Sequence, residues 1–480
     1  MFNFKTRPYA HQLKALEESW AADYFGLFME MGTGKSKVAL DTISTLYKER
    51  RVNAALIVAP KGVYSNWVEG EIPTHLPDYI PIQMSRWRPA QSKSFAEEMK
   101  ILISDPFDGL KIFVVNVEAF STPRGTKAAV AFLSKNPENI MIVDESTTIK
   151  NRKALRTKNI MKCGDLTKYR RILTGSPITK SPMDLFSQAQ FLSPQALNFK
   201  SYYSFQNRYA NIVRRTMGAR QFQEIVSYKR LDELNEKLER FSYRVLKDEC
   251  LDLPNKIYLK RNVELTDEQA RVYKQMKKLA LAQLDTGELA TTQSVLTQIM
   301  RLQQICCGFF QPDDCEIEEL PSKRMDALLD VIEEAQGKVI IWASWTHDIR
   351  KITKALEERF GSEAVAAYFG ETKQDERQDI VNRFQDKDNP LRFFVGQPRT
   401  GGFGLTLTAA NTVIYYSNQY DLEIRLQSED RAHRIGQRNA VTYVDLIAPK
   451  TVDEQVIKAL KQKMVLSGAV LNEEVRKWLT

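Results

Sequence analysis

Met29-Glu30-Met31-Gly32-Thr33-Gly34-Lys35-Ser36 is the stretch from which the fold can be read. It ends in Gly-Lys-Ser, the core of a phosphate-binding loop. The small residues Gly32, Thr33 and Gly34 let backbone N–H groups close on phosphate oxygens. The Lys35 ammonium reaches the β and γ phosphates, and the Ser36 hydroxyl can ligand Mg²⁺. An apolar run precedes the loop (Tyr24, Phe25, Leu27, Phe28) and an amphipathic one follows it (Val38, Ala39, Leu40, Ile43, Leu46). That is the strand, loop, helix order in which a helix N-terminus faces an anion. Met29 stands where the full pattern asks for Gly. The plainer alternative is therefore a chance Gly-Lys-Ser before an ordinary helix, and what lies downstream weighs against it.

Working outward, Ala54-Ala55-Leu56-Ile57-Val58-Ala59-Pro60 and Lys111-Ile112-Phe113-Val114-Val115-Asn116 are nearly unbroken apolar runs. Such runs read as strands buried on both faces of a parallel sheet. Ile140-Met141-Ile142-Val143 is another, running into Asp144-Glu145-Ser146-Thr147. Two acids at the C-terminal end of a buried strand are costly without a task, and ligands of open α/β sheets bind at that end. Asp144 can hold Mg²⁺ and Glu145 can polarise an attacking water. Arg171-Ile172-Leu173-Thr174-Gly175-Ser176-Pro177 is a further strand, ending in hydroxyls that could report nucleotide state to a bound strand. Upstream, Tyr9 and Gln12 lie just before the loop, where a Gln beside a ring could read an adenine edge. Strands alternating with helices predict one doubly wound α/β lobe over residues 1–195.

Residues 196–320 read as a mostly helical insertion and linker, with Leu231 to Leu238 and Glu268 to Leu284 as its clearest helices and few strand signals, such as Lys256-Ile257-Tyr258-Leu259. Residues 321–480 read as a second α/β lobe, with strands at Lys338-Val339-Ile340-Ile341-Trp342, Val365 to Tyr368, Arg392 to Gly396 and Thr412 to Tyr416. Thr400-Gly401-Gly402-Phe403-Gly404-Leu405 is a glycine cluster suited to close backbone approach by a ligand, or to an ordinary turn. On a helix, Gln427, Arg431 and Arg434 share a face. Two arginines with a glutamine suit a phosphate, because guanidinium is a planar, always-charged donor fork. Surface pairing with Glu429 and Asp430 is the alternative, and His433 reads as a packing or capping residue.

The 480 residues imply two to four domains. An apolar content of 43% with 27% charged residues is that of a globular protein. No apolar run is long enough to span a bilayer, and the N-terminus lacks a signal-peptide core. Five cysteines without Cys-x-x-Cys spacing, and four histidines, predict reduced thiols in a cytosol and no zinc site. The net charge of +9 is uneven. Lys150 to Arg171 holds nine basic residues and one acid, and Lys200 to Arg230 holds seven and one. Localised positive charge is the footprint of a polyanion partner, although solvated helix faces are the common alternative. Lys153, Arg156, Arg214 and Arg215 are the candidate contacts, and six aromatics interleave the second stretch (Tyr202, Tyr203, Phe205, Tyr209, Phe222, Tyr228).

In order along the chain, these motifs resemble superfamily-two helicase motors, and specifically the Swi/Snf-type ATPases that track along double-stranded DNA. Glu30 to Ser36 resembles their motif I, and Pro60 with Asn66-Trp67 motif Ia. Asp144 to Thr147 with Ile149-Lys150-Asn151 resembles motif II, and Leu173 to Ile178 motif III. Met300 to Cys306 is similar to the Leu-Arg-Gln-Ile-Cys stretch before the family's second lobe. Gly401 to Leu405 with Thr408 to Asn411 resembles motif V, and Asp430 to Gln437 matches motif VI almost letter for letter. Thr147 departs from the usual His or Asp, which puts the coupling of motif II to the other lobe in doubt.

The resemblance implies two RecA-like lobes closing on Mg-ATP, with Lys35, Glu145, Arg431 and Arg434 catalytic. Ser36 and Asp144 would hold Mg²⁺, and Gln12, Gly404 and Gln427 would complete the nucleotide site. Thr174, Thr400 and Thr408 join the basic residues as candidate nucleic-acid contacts. It implies a monomeric double-stranded DNA translocase, a bare motor without accessory domains, working in the cytoplasm of a bacterium or of a virus-infected one, in repair, replication or protein displacement. A strand-separating DNA or RNA helicase, a nucleic-acid-stimulated ATPase switch and a non-hydrolysing scaffold remain open.

Overall fold

The computed structural model describes residues 2–61, 63–89, 92–217, 220–285, 292–311, 316–401 and 405–471. The chain divides into two compact units. The first is built from residues up to Ile212 and from Ile225–Asp252, and the second from Val213–Glu224 and Leu253–Met464.

The first unit is organised by β1 (Tyr24–Met29), β2 (Ala54–Ala59), β3 (Ile82–Arg86), β4 (Leu110–Asn116), β5 (Asn139–Asp144) and β6 (Tyr169–Leu173). Next along the chain come β7 (Ala210–Met217) and β8 (Arg220–Tyr228), which among the described residues pair with each other and whose Val213–Glu224 portion falls in the second unit, and then β9 (Ser242–Val245) of the first. The sheet runs β3-β4-β2-β5-β6-β1-β9, and every pairing in it is parallel.

The apolar runs have the cause inferred for them. Successive residues of a strand face opposite sides, and both sides here are core. Leu56, Val58, Phe113, Val115, Met141 and Val143 enter one hydrophobic layer, while Ala55, Ile57, Ile112, Val114, Ile140 and Ile142 enter the other. Helices including Lys35–Lys48 and Pro123–Lys135 supply those layers. Parallel pairing brings the strands' C-terminal ends to one edge. Leu27 of β1 and Asp144 of β5 are both in register with Leu173 of β6. The phosphate loop, the acid pair and the Thr174 turn therefore emerge side by side.

The second unit contains β10 (Lys256–Asn262), β11 (Phe309–Phe310), β12 (Glu318–Glu319), β13 (Lys338–Trp342), β14 (Val365–Tyr368), β15 (Phe393–Gly396), β16 (Ala410–Tyr415) and β17 (Val441–Ile447). Its main sheet is β10-β17-β16-β13-β15-β14, again parallel throughout. Val339 and Ile341 of β13 fill one layer, and Ile340 and Trp342 the other. Both units are thus doubly wound parallel-sheet lobes.

The stretch 196–320 holds the helices Leu231–Glu239, Asp267–Asp285 and Thr292–Cys307, but it is not only helical. Its β9 completes the first sheet beside β1, and its β10 completes the second beside β17. Both are edge strands. β9 is four residues long and β10 alternates half-buried and exposed positions, so neither carries a continuous apolar run. The β7–β8 hairpin is the other departure, although Ile212-Val213 and Ile225-Val226 on either side of Gly218 are a legible hairpin signal. No helix among the described residues is long and apolar enough to cross a membrane.

Candidate nucleotide-binding site

The loop between β1 and the helix Lys35–Lys48 turns on two glycines in the left-handed region, Gly32 at φ 79° and Gly34 at φ 90°. A Cβ at Gly34 would sit 2.2 Å from Gln12 Nε2, so a larger residue there would strain the backbone and displace Gln12. Internal bonds fix the loop's shape. Thr33 Oγ1 donates to Glu30 O at 2.7 Å, and Gln12 Nε2 donates to Thr33 O at 3.0 Å. His11 Nε2 lies 2.8 Å from the same carbonyl, and Lys247 N donates to Glu30 Oε2 at 2.9 Å.

Lys35 is buried at the first position of the helix, its Nζ 3.4 Å from Glu30 O. Burial holds its ammonium below the usual lysine range; Glu145 and then Asp144 oppose this, and the Arg244 guanidinium adds to it. Both motif II carboxylates therefore act on the phosphate-loop lysine. Asp144 is buried too, with Oδ1 accepting from Glu145 N and Oδ2 from Trp67 Nε1, both at 2.9 Å. Burial pushes its carboxyl above the usual range, against the Trp67 bond and Lys35. Glu145 has φ 46° and turns the chain from β5 into the short helix Ser146–Ile149. A left-handed non-glycine residue costs about 1–3 kcal/mol and clusters at functional sites.

These groups fit Mg²⁺ and a nucleotide. An ammonium depressed by burial and a carboxyl raised by it are both relieved when a polyphosphate and a divalent cation lie between them. Ser36 follows Lys35 at the helix N-terminus, where a phosphate-loop hydroxyl meets the cation.

The neighbouring turn is locked to the loop. Arg244 of β9 donates through Nη1 to Phe28 O at 2.8 Å and to Gly175 O at 2.9 Å. A Cβ on Gly175 would come within 3.0 Å of Met31 N. Ser146 Oγ donates to Gln188 Oε1 and Gln188 Nε2 to Pro177 O, both at 2.7 Å, which joins the acid turn to the Thr174 turn. Sequence reasoning missed Arg244 and Gln188, and did not foresee that Trp67 orients Asp144. An arginine inside the short run Ser242-Tyr243-Arg244-Val245 was the available signal.

Two of the candidate residues are engaged within the fold. Gln12 is 4% exposed, and its amide is engaged by Thr33 O and by Tyr9 N, which donates to Oε1 at 3.0 Å. In this arrangement it braces the loop. Thr174 is 1% exposed, and its Oγ1 accepts from Ser176 N at 3.1 Å. That hydroxyl holds its own turn.

In the second unit, Arg431 donates to Gln427 O at 2.9 Å and to Leu405 O at 3.0 Å, and Arg434 to Leu405 O at 3.2 Å. Gln427, Arg431 and Arg434 are thus gathered at the Leu405 end of the motif V segment. Gly404 itself lies outside the described residues. Gln427 Oε1 is buried without a hydrogen-bond partner among the described residues. The carboxylate of Glu429 is fully buried and taken up by Arg425 Nε at 2.7 Å and Tyr258 Oη at 2.8 Å, so that acid is engaged inside the unit and not at its surface. Arg425 also donates to Asp445 Oδ1 at 2.5 Å, making a buried scaffold beneath the segment. His433 Nε2 lies 2.7 Å from Pro254 O, a packing role. Thr408 Oγ1 accepts from Gln385 Nε2 at 3.0 Å, and Thr400 Oγ1 donates to Gln397 Oε1 at 3.3 Å.

The basic stretches divide. Arg171 is fully buried and donates to Ser19 O, Ala22 O and Arg170 O at 2.6–2.8 Å, and Arg170 donates to Phe191 O at 3.1 Å. Both are internal staples. Lys153 is exposed, and Arg156 is half-buried with Nε donating to Thr148 O at 3.1 Å. Phe205 and Tyr209 are core, while Tyr203 is 59% exposed beside the Arg152 guanidinium.

Residues 24–310 match the family model of the SNF2-related domain, and residues 323–436 match the helicase conserved C-terminal domain. A probable ATP-dependent DNA helicase of Arabidopsis thaliana is 28% identical over 485 residues, covering 96% of this chain and 42% of that protein. The transcription regulatory protein SNF2 of Saccharomyces cerevisiae is 26% identical over 492 residues, covering 96% and 27%. The chain spans less than half the length of these relatives. Among solved structures, the SWI2/SNF2 ATPase core of Sulfolobus solfataricus in complex with dsDNA is 25% identical, covering 97% of this chain and 94% of that one at a TM-score of 0.43. With the SNF2-related model covering more than half of its residues, the chain belongs to the SNF2-related family.

Proposed function

We propose that this chain is an ATPase stimulated by double-stranded DNA, and that it couples hydrolysis to movement along the duplex. The observation that carries the proposal is the buried Lys35 held by a two-glycine loop under the influence of Glu145 and Asp144, in an SNF2-related chain. Lys35 and the loop N–H groups grip the β and γ phosphates of ATP. Ser36 and Asp144 would hold Mg²⁺, whose charge would neutralise the phosphate oxygens. Glu145 receives a proton from the attacking water. Arg431 and Arg434, with Gln427 beside them, meet the charge that develops on the γ-phosphate.

Relatives named as ATP-dependent DNA helicases support DNA as the polymer. Lys153, Arg156, Arg214, Arg215, Thr400 and Thr408 are the proposed backbone contacts. Phosphate contacts suit a motor that must not stop at particular sequences. A translocase strips what is bound to a duplex without parting its strands. A triplex-displacement assay run beside a forked-duplex unwinding assay should therefore show the third strand released and the fork intact. Unwinding without triplex displacement would favour a strand-separating helicase instead.

A further inference from the structure

The β7–β8 hairpin is anchored at its root. Tyr209 is fully buried there and donates to Glu233 Oε1 at 3.0 Å, while Lys229 N donates to Tyr209 O at 3.0 Å. Ile225 and Tyr228 pack against the core of the first unit, and Asn211 Nδ2 donates to Ser227 Oγ at 2.8 Å across the strands. Beyond the root, Val213, Arg214, Arg215 and Thr216 on one strand and Gln223, Glu224 and Val226 on the other are all exposed. Successive residues face opposite sides, so both faces of the ribbon are open. Val213 is 44% and Val226 50% exposed. A two-stranded ribbon exposed along these residues is marginal by itself, and its strands run eight and nine residues.

Its chemistry indicates what covers it. The strands carry Arg214, Arg215 and Arg220 against the single acid Glu224. Arg215 is paired with Glu224, whereas Arg214 has no acidic partner among the described residues. Exposed valines flanked by arginines match a surface that is apolar within and anionic at its rims. A DNA groove lined by sugars and walled by phosphates is such a surface, and the major groove, about 12 Å wide, admits a two-stranded ribbon. A protein strand added to the ribbon's edge would need no positive charge.

We propose that the ribbon is an arm that lies in a groove of duplex DNA, with Arg214 and Arg215 toward the flanking phosphates and Val226, on the same face as Arg214, against the groove wall. This rests on the reading that the chain works on duplex DNA, and adds to it a groove-tracking element.

The test uses the full chain and a labelled duplex. A photo-crosslinking residue at Val226 should capture DNA at least about tenfold more efficiently than one at Tyr79, which is 51% exposed elsewhere on the surface. The double variant R214A/R215A should lower the log–log salt slope of duplex binding by about 1.8, at roughly 0.9 per lost phosphate contact. A parent-like melting transition is the folding control, and if the double variant misfolds the crosslink decides. An unchanged slope in the folded variant, or Val226 capture no higher than at Tyr79, overturns the proposal. A parent chain that binds duplex without ATPase stimulation would overturn the motor reading while leaving the arm to be judged by slope and crosslink.

Discussion

Glu145→Gln will bind ATP about as well as the parent chain and turn it over about 10²–10⁴-fold more slowly. That range is what a positioned general base contributes. Glutamine keeps the size of the side chain and the strained turn at φ 46°, but cannot accept the proton from water. Lys35→Ala should behave in the opposite way. Its ammonium acts on phosphate in the ground state, so nucleotide affinity should fall along with rate. Equilibrium binding of a fluorescent ATP analogue, beside single-turnover hydrolysis, separates the two variants. Near-parental turnover in Glu145→Gln would remove Glu145 from the base role and reopen the scaffold and switch alternatives.

Arg434→Ala should lower DNA-stimulated turnover by about 10³–10⁵-fold, the range of arginine fingers in phosphoryl transfer, while changing ATP affinity far less. Arg434 is the better of the two arginines to test. Arg431 is buried and hydrogen-bonded to Gln427 O and Leu405 O, so its removal also disturbs the segment that carries it. Arg434 is half-buried, with a 3.2 Å bond to Leu405 O, and its loss should leave the second unit folded. Lysine should not rescue the defect, because a point charge cannot make the forked contact. Steady-state ATPase with saturating duplex, read with a melting curve, checks it. Substantial rescue by Arg434→Lys would mean that charge alone is required there.

What the sequence made legible follows from where the physics is local. A strand buried on both faces has no polar alternation to maintain, so Ala54 to Ala59 and Ile140 to Val143 announce themselves as continuous runs, and the parallel sheets follow from them. The phosphate loop and the acid pair are legible because their chemistry lies in consecutive residues. What was hidden depends on distant partners. Arg171 reads as part of a polyanion footprint, and only the carbonyls of Ser19 and Ala22, some 150 positions away, make it a buried staple. Gln12 has the right identity for a base contact, and that its amide also fills the space beside Gly34 shows only in the fold. Arg244 belongs to no motif, and its importance appears only once β9 lies beside β1. The four-residue edge strand β9 is too short and too exposed to stand out within a stretch dominated by helices, whereas Lys256-Ile257-Tyr258-Leu259 at the start of β10 is a legible strand signal.

The most direct test of the central claim is the ATPase rate of the purified chain with no nucleic acid, with single-stranded DNA, with double-stranded DNA and with RNA at equal nucleotide concentration. The highest rate is predicted with double-stranded DNA, with single strands and RNA well below it. Equal rates under all four conditions, or a maximum on RNA or single-stranded DNA, would contradict a motor that works on the duplex.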